Sequence, residues 1–443
     1  MPGGLKTDLY ELKMAASYLR RRMVADATFS LFVRRLPRDR GYLVAAGLED
    51  CLDFLEGFGF ESEDLEYLGS IGFGSADLDA FRSLHFTGEV WAVPEGRVVL
   101  ANEPLLEVTA PIAEAQLVET AMLNFVSYQT TLASKAARCR VAAGGGPVID
   151  FAYRRTHGLE AASSVARVSA MVGFAGTSNV EAARHWGLTA SGTMAHSYIE
   201  AFEREEDAYA SFAADFPDQV TFLVDTYDPV EGIRGVIRLL QRTRHPGRYG
   251  VRLDSGDLQA LARTARAMLD GAGLQEVSIF ASGGLDEYSV EGLVRSGAPI
   301  DAYGVGTRMG VAADHPYVDT AYKLVAFDGR PVMKLSAGKT NLPGAKQVFR
   351  DEPGRRDVIS LRSEKNPGSP LLERVMHQGR RLRPRPALAL ARARFESDLA
   401  WLPESALRIR GPRAPLARVS EELNRLSQRT LERIRRHSQE PSA

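Results

Sequence analysis

Cysteine is nearly absent: Cys51 and Cys139 are the only two in 443 residues. They supply no disulfide framework and no metal-ligand spacing, and both read as small buried hydrophobes. Long apolar runs are missing too. None approaches the ~20 residues a membrane-spanning helix needs. The N-terminus, Met1-Pro2-Gly3-Gly4 and then Leu5-Lys6-Thr7-Asp8, lacks a signal peptide's charged-then-apolar layout. Neither sign of charge is in excess: 55 Lys+Arg stand against 56 Asp+Glu, a formal net charge of −1. That balance leaves no electrostatic footprint for nucleic acid or a membrane surface. There is no internal repeat or low-complexity tract. These absences point to a soluble cytoplasmic protein.

What is present is ordinary for a globular chain: 44% hydrophobic and 25% charged residues. The length predicts two or three domains, each able to bury a core without disulfide or metal. Residues 1–146 read as an α+β domain. Thr7 or Asp8 can N-cap a helix, with Glu11 three residues after Asp8 as in a capping box, and Leu9, Leu12, Ala16 and Leu19 mark its apolar face. Residues 27–33, 88–92 and 97–101 read as strands, and 50–58 as a short helix. Residues 113–140 read as one long apolar-periodic helix, ended by Ala143-Gly144-Gly145-Gly146-Pro147.

The rhythm changes over residues 147–340. Strand-like runs at 148–151, 221–224, 249–253, 277–281 and 300–305 alternate with helical stretches, which predicts a parallel sheet, open or closed as a barrel. Residues 341–443 lose that rhythm. From Met376 to Ala443 there are 15 Arg, no Lys and 7 acidic residues. This segment reads as a solvated surface that completes the α+β domain or forms a small third one. Its last piece, 420–436, has Leu423, Leu426, Leu431 and Ile434 at helical spacing, so it docks on something.

Polar residues collect directly after the predicted strands, where parallel α/β folds build their sites. Asp150-Phe151-Ala152-Tyr153-Arg154-Arg155, Asp225-Thr226-Tyr227-Asp228, Arg252-Leu253-Asp254-Ser255-Gly256-Asp257, Ser282-Gly283-Gly284 and Gly304-Val305-Gly306-Thr307 form five such patches. One Asp-Ser-Gly-Asp is commonly only a turn and a helix cap. Five in register with five strands are harder to dismiss. The two Gly-rich patches precede helices and offer bare N–H groups to phosphate. Arg154, Arg155 and Arg252 suit carboxylate or phosphate, and Asp225 and Asp254 suit a cation, a ribose or a carbocation. An anionic, phosphorylated sugar satisfies all of these demands. His196, in Ser191-Gly192-Thr193-Met194-Ala195-His196-Ser197, is not distinguished by composition from His157, since a lone histidine is more often a structural hydrogen-bonder.

At these residues the chain resembles nicotinate phosphoribosyltransferases. The likeness runs through Thr7-Asp8-Leu9-Tyr10-Glu11-Leu12, Arg35-Leu36-Pro37, Ala46-Gly47-Leu48, Tyr153-Arg154-Arg155 and Gly176-Thr177-Ser178-Asn179-Val180. It continues in Gly192–Ser197, Asp225-Thr226-Tyr227, Gly250–Asp257, Gly304–Thr307, Tyr322-Lys323-Leu324-Val325 and Met333-Lys334-Leu335. The resemblance implies an irregular α/β barrel of the type II phosphoribosyltransferase kind, an N-terminal α+β domain and a C-terminal appendage. It implies a homodimer with shared active sites, and formation of nicotinate mononucleotide and pyrophosphate from nicotinate and phosphoribosyl pyrophosphate. ATP hydrolysis would be coupled through a phosphohistidine, with Mg2+ as cofactor. On that likeness His196 is the phosphohistidine, with Asp225 and Asp254 facing the ribose. Tyr10, Phe151, Arg154, Ser178, Thr193 and Arg252 bind nicotinate. Arg155, Ser282, Gly283, Gly284, Gly304, Gly306 and Thr307 bind phosphoribosyl pyrophosphate.

Departures from the family pattern are Lys13 for Thr, Ala152 for Gly, Thr156-His157 for Ala-Gln, and Ser282-Gly283-Gly284, which matches only some members. Three rivals are weighed. Nicotinamide phosphoribosyltransferase has an aspartate where Ser178 stands, which would repel nicotinate's carboxylate. Quinolinate phosphoribosyltransferase is shorter and lacks the phosphohistidine. A non-catalytic phosphosugar-binding regulator would have no need of His196, Asp225, Arg252 and Asp254 together.

Overall fold

The computed structural model describes residues 3–243, 247–336, 341–351 and 356–439. Met1 and Pro2 lie outside them, as does the end of the Arg-rich stretch. The chain forms two compact units, 1–131 with 317–443, and 132–316. These limits differ from 146/147 and 340/341 because the first falls inside a continuous helix, which no sequence signal punctuates.

The first unit is built on an antiparallel seven-stranded sheet. Its order is Arg330–Pro331, Thr320–Phe327, Asp26–Val33, Pro104–Pro111, Glu89–Ala92, Glu373–His377 and Arg380–Arg381. Strands from both chain termini therefore share one sheet. Asp26–Val33 is flanked on both sides and buried on both faces, so its sequence is a continuous run rather than an alternation. Phe29 stacks on Tyr322 at 4.8 Å, and the Tyr322 hydroxyl donates to the Ala115 carbonyl at 2.8 Å. The Arg-rich segment lies against an acidic helix, Leu48–Glu56. Arg381 pairs with Glu49, Asp53 and Glu56, and Arg385 with Asp50 and Asp53. The terminal helix, Glu421–Gln439, docks through fully buried Leu423.

Two local expectations are corrected here. The predicted single helix over 113–140 is two, Ile112–Leu117 and Glu119–Ala142, broken at Val118. The apolar periodicity runs across a one-residue break without registering it. The capping box at Asp8 and Glu11 does not form. Glu11 is fully buried and instead accepts from the Thr7 hydroxyl and, at 2.8 Å, the Thr120 hydroxyl. Burial pushes its carboxyl above the usual range, against the pull of those hydroxyls.

The second unit holds the parallel sheet. Its strands are β1 (Val148–Asp150), β2 (Gly176–Thr177), β3 (Gln219–Leu223), β4 (Arg248–Leu253), β5 (Ser278–Ala281) and β6 (Ala302–Val305). The order is β2-β1-β6-β5-β4-β3, parallel throughout. A closed barrel of these strands would need one further pairing, between β2 and β3. Among the described residues that seam stays open, and a lone parallel bridge from Thr177 to Ala190 marks where the chain enters it. This is the irregular α/β barrel. Helices such as Pro229–Arg242 and Leu258–Gly271 cover the sheet, each capped by an aspartate, Asp228 and Asp257, that accepts from its first-turn N–H groups. No helix among the described residues is long and apolar enough to cross a membrane.

Candidate active site

The open seam and the C-terminal ends of the strands bound a cleft of about 680 Å3. Its lining includes Phe151, Arg154, Arg155, Ser178, Thr193, His196, Arg252, Asp254, Ser282, Gly283, Gly284, Gly304, Gly306 and Thr307. Thus the structure brings together every site residue named from the sequence except Tyr10 and Asp225. Asp225 stands directly behind the lining. Its Oδ2 accepts from the Asp254 N–H at 2.9 Å and the Ser255 hydroxyl at 2.5 Å. Tyr10 belongs to the other unit, half-exposed on the helix Leu9–Arg20, where burial and neighbouring carboxylates raise its phenol.

Arg252, near the end of β4, organises the floor. Its Nε donates to the Ser282 hydroxyl at 2.8 Å, Nη1 to the Thr193 hydroxyl at 2.9 Å, and Nη2 to Asp254 Oδ1 at 2.5 Å. The guanidinium carbon lies 5.4 Å from the centre of the Phe151 ring. That ring in turn leans on Phe280 at 5.5 Å. Close packing explains Gly304: a Cβ there would come within 3.0 Å of both rings. The fixed fork of five donors is what lets one arginine hold three partners at once.

Asp254 sits between Arg252 and His196. Burial alone would raise its carboxyl, but the Ser282 hydroxyl, at 2.5 Å, and Arg252 outweigh it and hold the group below the usual carboxylate range. His196 begins the helix His196–Glu200. Its Nδ1 lies 3.2 Å from the Thr226 hydroxyl, and its Nε2 3.8 Å from Asp254 Oδ2. The imidazole is 41% exposed, so a ligand in the cleft can reach it.

Asp150 is structural. It caps the turn after β1 by accepting from the Ala152 N–H and the Thr177 hydroxyl, both at 2.8 Å, which ties β1 to the Ser178 turn. Sequence reasoning left Tyr153, Met194, Ser197 and Leu223 unassigned, although all line the cleft. It gave no role to Thr226, the partner of His196. Four of these five, all but Leu223, stood inside quoted motifs, and a motif does not give the orientation of each side chain in it. His157 is absent from the lining, which separates it from His196. Cys51 and Cys139 are fully buried, and burial raises both thiols, as small core residues require.

The sequence of both units matches known families. A family model described as the nicotinate phosphoribosyltransferase N-terminal domain matches residues 5–127, and the nicotinate phosphoribosyltransferase family model matches 147–350. The chain belongs to the nicotinate phosphoribosyltransferase family. A nicotinate phosphoribosyltransferase of Mycobacterium tuberculosis is 49% identical over 387 residues, covering 86% of this chain and 83% of that protein. One of Bacillus subtilis is 42% identical over 356 residues, covering 78% and 72%. The crystal structure of human nicotinic acid phosphoribosyltransferase aligns with a TM-score of 0.82 at 28% identity, covering 96% of this chain and 99% of that one.

Proposed function

We propose that this nicotinate phosphoribosyltransferase family member joins nicotinate to phosphoribosyl pyrophosphate, giving nicotinate mononucleotide and pyrophosphate for NAD synthesis. The observation that carries the reading is the Arg252 cluster, a half-buried cation against an aromatic ring at the base of a cleft rimmed by two Gly-rich loops. Nicotinate is a ring with a carboxylate, and its partner is a sugar with phosphates.

The pyridine nitrogen already has a lone pair, so the transfer needs no general base. The demanding event is rupture of the sugar C1–O bond, which leaves oxocarbenium-like charge on the ribose. Asp254, held ionised by Ser282 and Arg252, and Asp225 supply negative charge for it. Phe151 and Thr193 orient the ring, and Arg252, Arg154 and Ser178 receive its carboxylate. Arg155 and the two Gly-rich loops hold the phosphorylated sugar.

Magnesium fits this donor set. Asp225 Oδ1 is a buried carboxylate oxygen without a hydrogen-bond partner among the described residues. No cluster of three or more His, Cys, Asp or Glu surrounds it there, which suits an ion completed by substrate phosphates rather than by a protein cage. Asp225 and Asp254 would hold it, and bound magnesium would neutralise the leaving pyrophosphate.

ATP is the co-substrate in this reading, and His196 accepts its phosphoryl group. Its exposed imidazole beside Thr226 and Asp254 supports that assignment. The working form is a cytoplasmic homodimer, with Tyr10 of one chain completing the cleft of the other. A product assay tests the reading, with phosphoribosyl pyrophosphate, ATP and magnesium against nicotinate, nicotinamide and quinolinate in parallel. Nicotinate mononucleotide should dominate. A higher kcat/KM with nicotinamide would overturn the assignment.

A further inference from the structure

The two Gly-rich loops follow different strands, yet both are tied to one buried side chain. Lys135, on the helix Glu119–Ala142, is 2% exposed and belongs to the same unit as the cleft. Its Nζ lies 2.6 Å from Glu287 Oε2 and 2.8 Å from Asp314 Oδ1. Glu287 opens the helix Glu287–Arg295, three residues after Gly284. Asp314 follows the short helix Thr307–Gly310, which begins at the cleft residue Thr307. Arg138 holds the other oxygen of Glu287 at 2.9 Å, so the carboxylate is pinned from two sides.

A second tie runs in front of the first. Asp286 Oδ1 accepts from the N–H groups of Tyr288 and Ser289 and so caps the helix. Its Oδ2 accepts from Arg308 Nη1 at 3.0 Å, and Arg308 adjoins Thr307. Adjacent carboxylates, Asp286 and Glu287, thus bind the start of one loop's helix to the far loop. The front pair is the weaker, because Arg308 is 56% exposed. The rear tie is buried at Lys135 and Glu287 and partly exposed at Asp314; burial disfavours the Lys135 ammonium, and Glu287 and Asp314 more than offset that and keep it charged.

We propose that Lys135 is a positioning residue that sets the spacing of the two glycine-rich loops and so tunes affinity for the phosphorylated sugar. It touches no ligand itself. The idea rests on the functional reading above, which assigns those loops to the sugar phosphate. A phosphate held by two loops needs both at the right separation, and a misplacement of an ångström is costly. The pyridine end of the cleft is set by Phe151, Thr193 and Arg252 from other elements. Losing the clamp should therefore affect one substrate and spare the other.

The test compares wild type, Lys135→Met and Asp314→Asn. Ribose 5-phosphate binding is measured by calorimetry, and KM for phosphoribosyl pyrophosphate and nicotinate by product assay. Asp314→Asn removes the charge of the arm to the second loop and keeps the Lys135–Glu287 pair, so it decides the matter if Lys135→Met does not fold. The expected result is ribose 5-phosphate binding about tenfold weaker, KM for phosphoribosyl pyrophosphate raised to match, and KM for nicotinate within about twofold. Unchanged ribose 5-phosphate affinity in folded Asp314→Asn would overturn the proposal, as would equal losses for both substrates. Wild-type protein that binds no ribose 5-phosphate would overturn the functional reading, and this inference with it.

Discussion

At the scale of single residues, the cleft depends on which charges are present and which are withheld. Ser178 lines it, and in the proposed function a carboxylate at that position would face nicotinate's own. Ser178→Asp should lower kcat/KM for nicotinate about 10- to 100-fold, roughly 1.4–2.7 kcal/mol, and leave nicotinamide nearly unaffected. Parallel kinetics with the two pyridines check this. Equal losses for both would mean that Ser178 does not face the ring substituent. A second prediction concerns pH. Asp254 is held below the usual range largely through Ser282 and Arg252, against burial. Its folded-state value is depressed, so its contribution to stability is present above the unfolded value and lost as pH falls through the folded one. Ser282→Ala removes a donor to Asp254 and an acceptor for Arg252, so the Asp254 carboxyl should rise. The acid limb of the kcat/KM profile should then move to higher pH. An unmoved limb would assign it to another group.

At the scale of elements, two glycines separate the two ends of the cleft. Gly283 has φ +90°, and a Cβ there would meet the Asp254 carbonyl oxygen at 1.7 Å. Gly304 is limited by the Phe151 and Phe280 rings instead. Gly283→Ala should cost about 1–3 kcal/mol in stability and weaken phosphoribosyl pyrophosphate binding. Gly304 belongs to the second Gly-rich loop but packs on the Phe151 ring, so Gly304→Ala should raise KM for nicotinate more than KM for phosphoribosyl pyrophosphate. Thermal melts with the two KM values distinguish them, and identical profiles would refute the division of the cleft. Most of this was legible in the sequence, because strands buried on both faces are short apolar runs and their ends carry the polar residues. Five of the six parallel strands were found this way. The sixth, Gly176–Thr177, is two residues long and has no pattern to read. The stretch 188–192 contributes only the bridge at Ala190, since the seam it enters pairs no further among the described residues. The Lys135 clamp was invisible because its partners lie about 150 and 180 residues away, and charge pairing at such separation follows from topology alone.

At the scale of the whole molecule, the proposed homodimer divides Tyr10 and His196 between chains. Tyr10 lies half-exposed in one unit, and His196 lies in the cleft of the other. A large aromatic side chain left half in water on a helix beside exposed Leu9 is suited to a partner surface. In the proposed homodimer each site takes Tyr10 from one chain and His196 from its partner. His196→Ala alone should abolish acid-labile phosphate and ATP stimulation but keep slow ATP-independent synthesis, because the pyridine nitrogen needs no base. Tyr10→Ala should keep the phosphohistidine and lose ring orientation. Mixing the two variants by reversible denaturation gives hybrids in half of the dimers under random pairing, and a two-fold interface then assembles one intact site per hybrid. ATP-stimulated synthesis should return to about a quarter of wild type. Recovery fixes the arrangement, since a Tyr10 acting within its own chain leaves every site of every hybrid with one defect. No recovery after exchange is confirmed by mass-tagged subunits would place Tyr10 in its own chain's site or outside the site altogether, and the retained phosphohistidine of Tyr10→Ala would still report whether His196 is the phosphorylated residue.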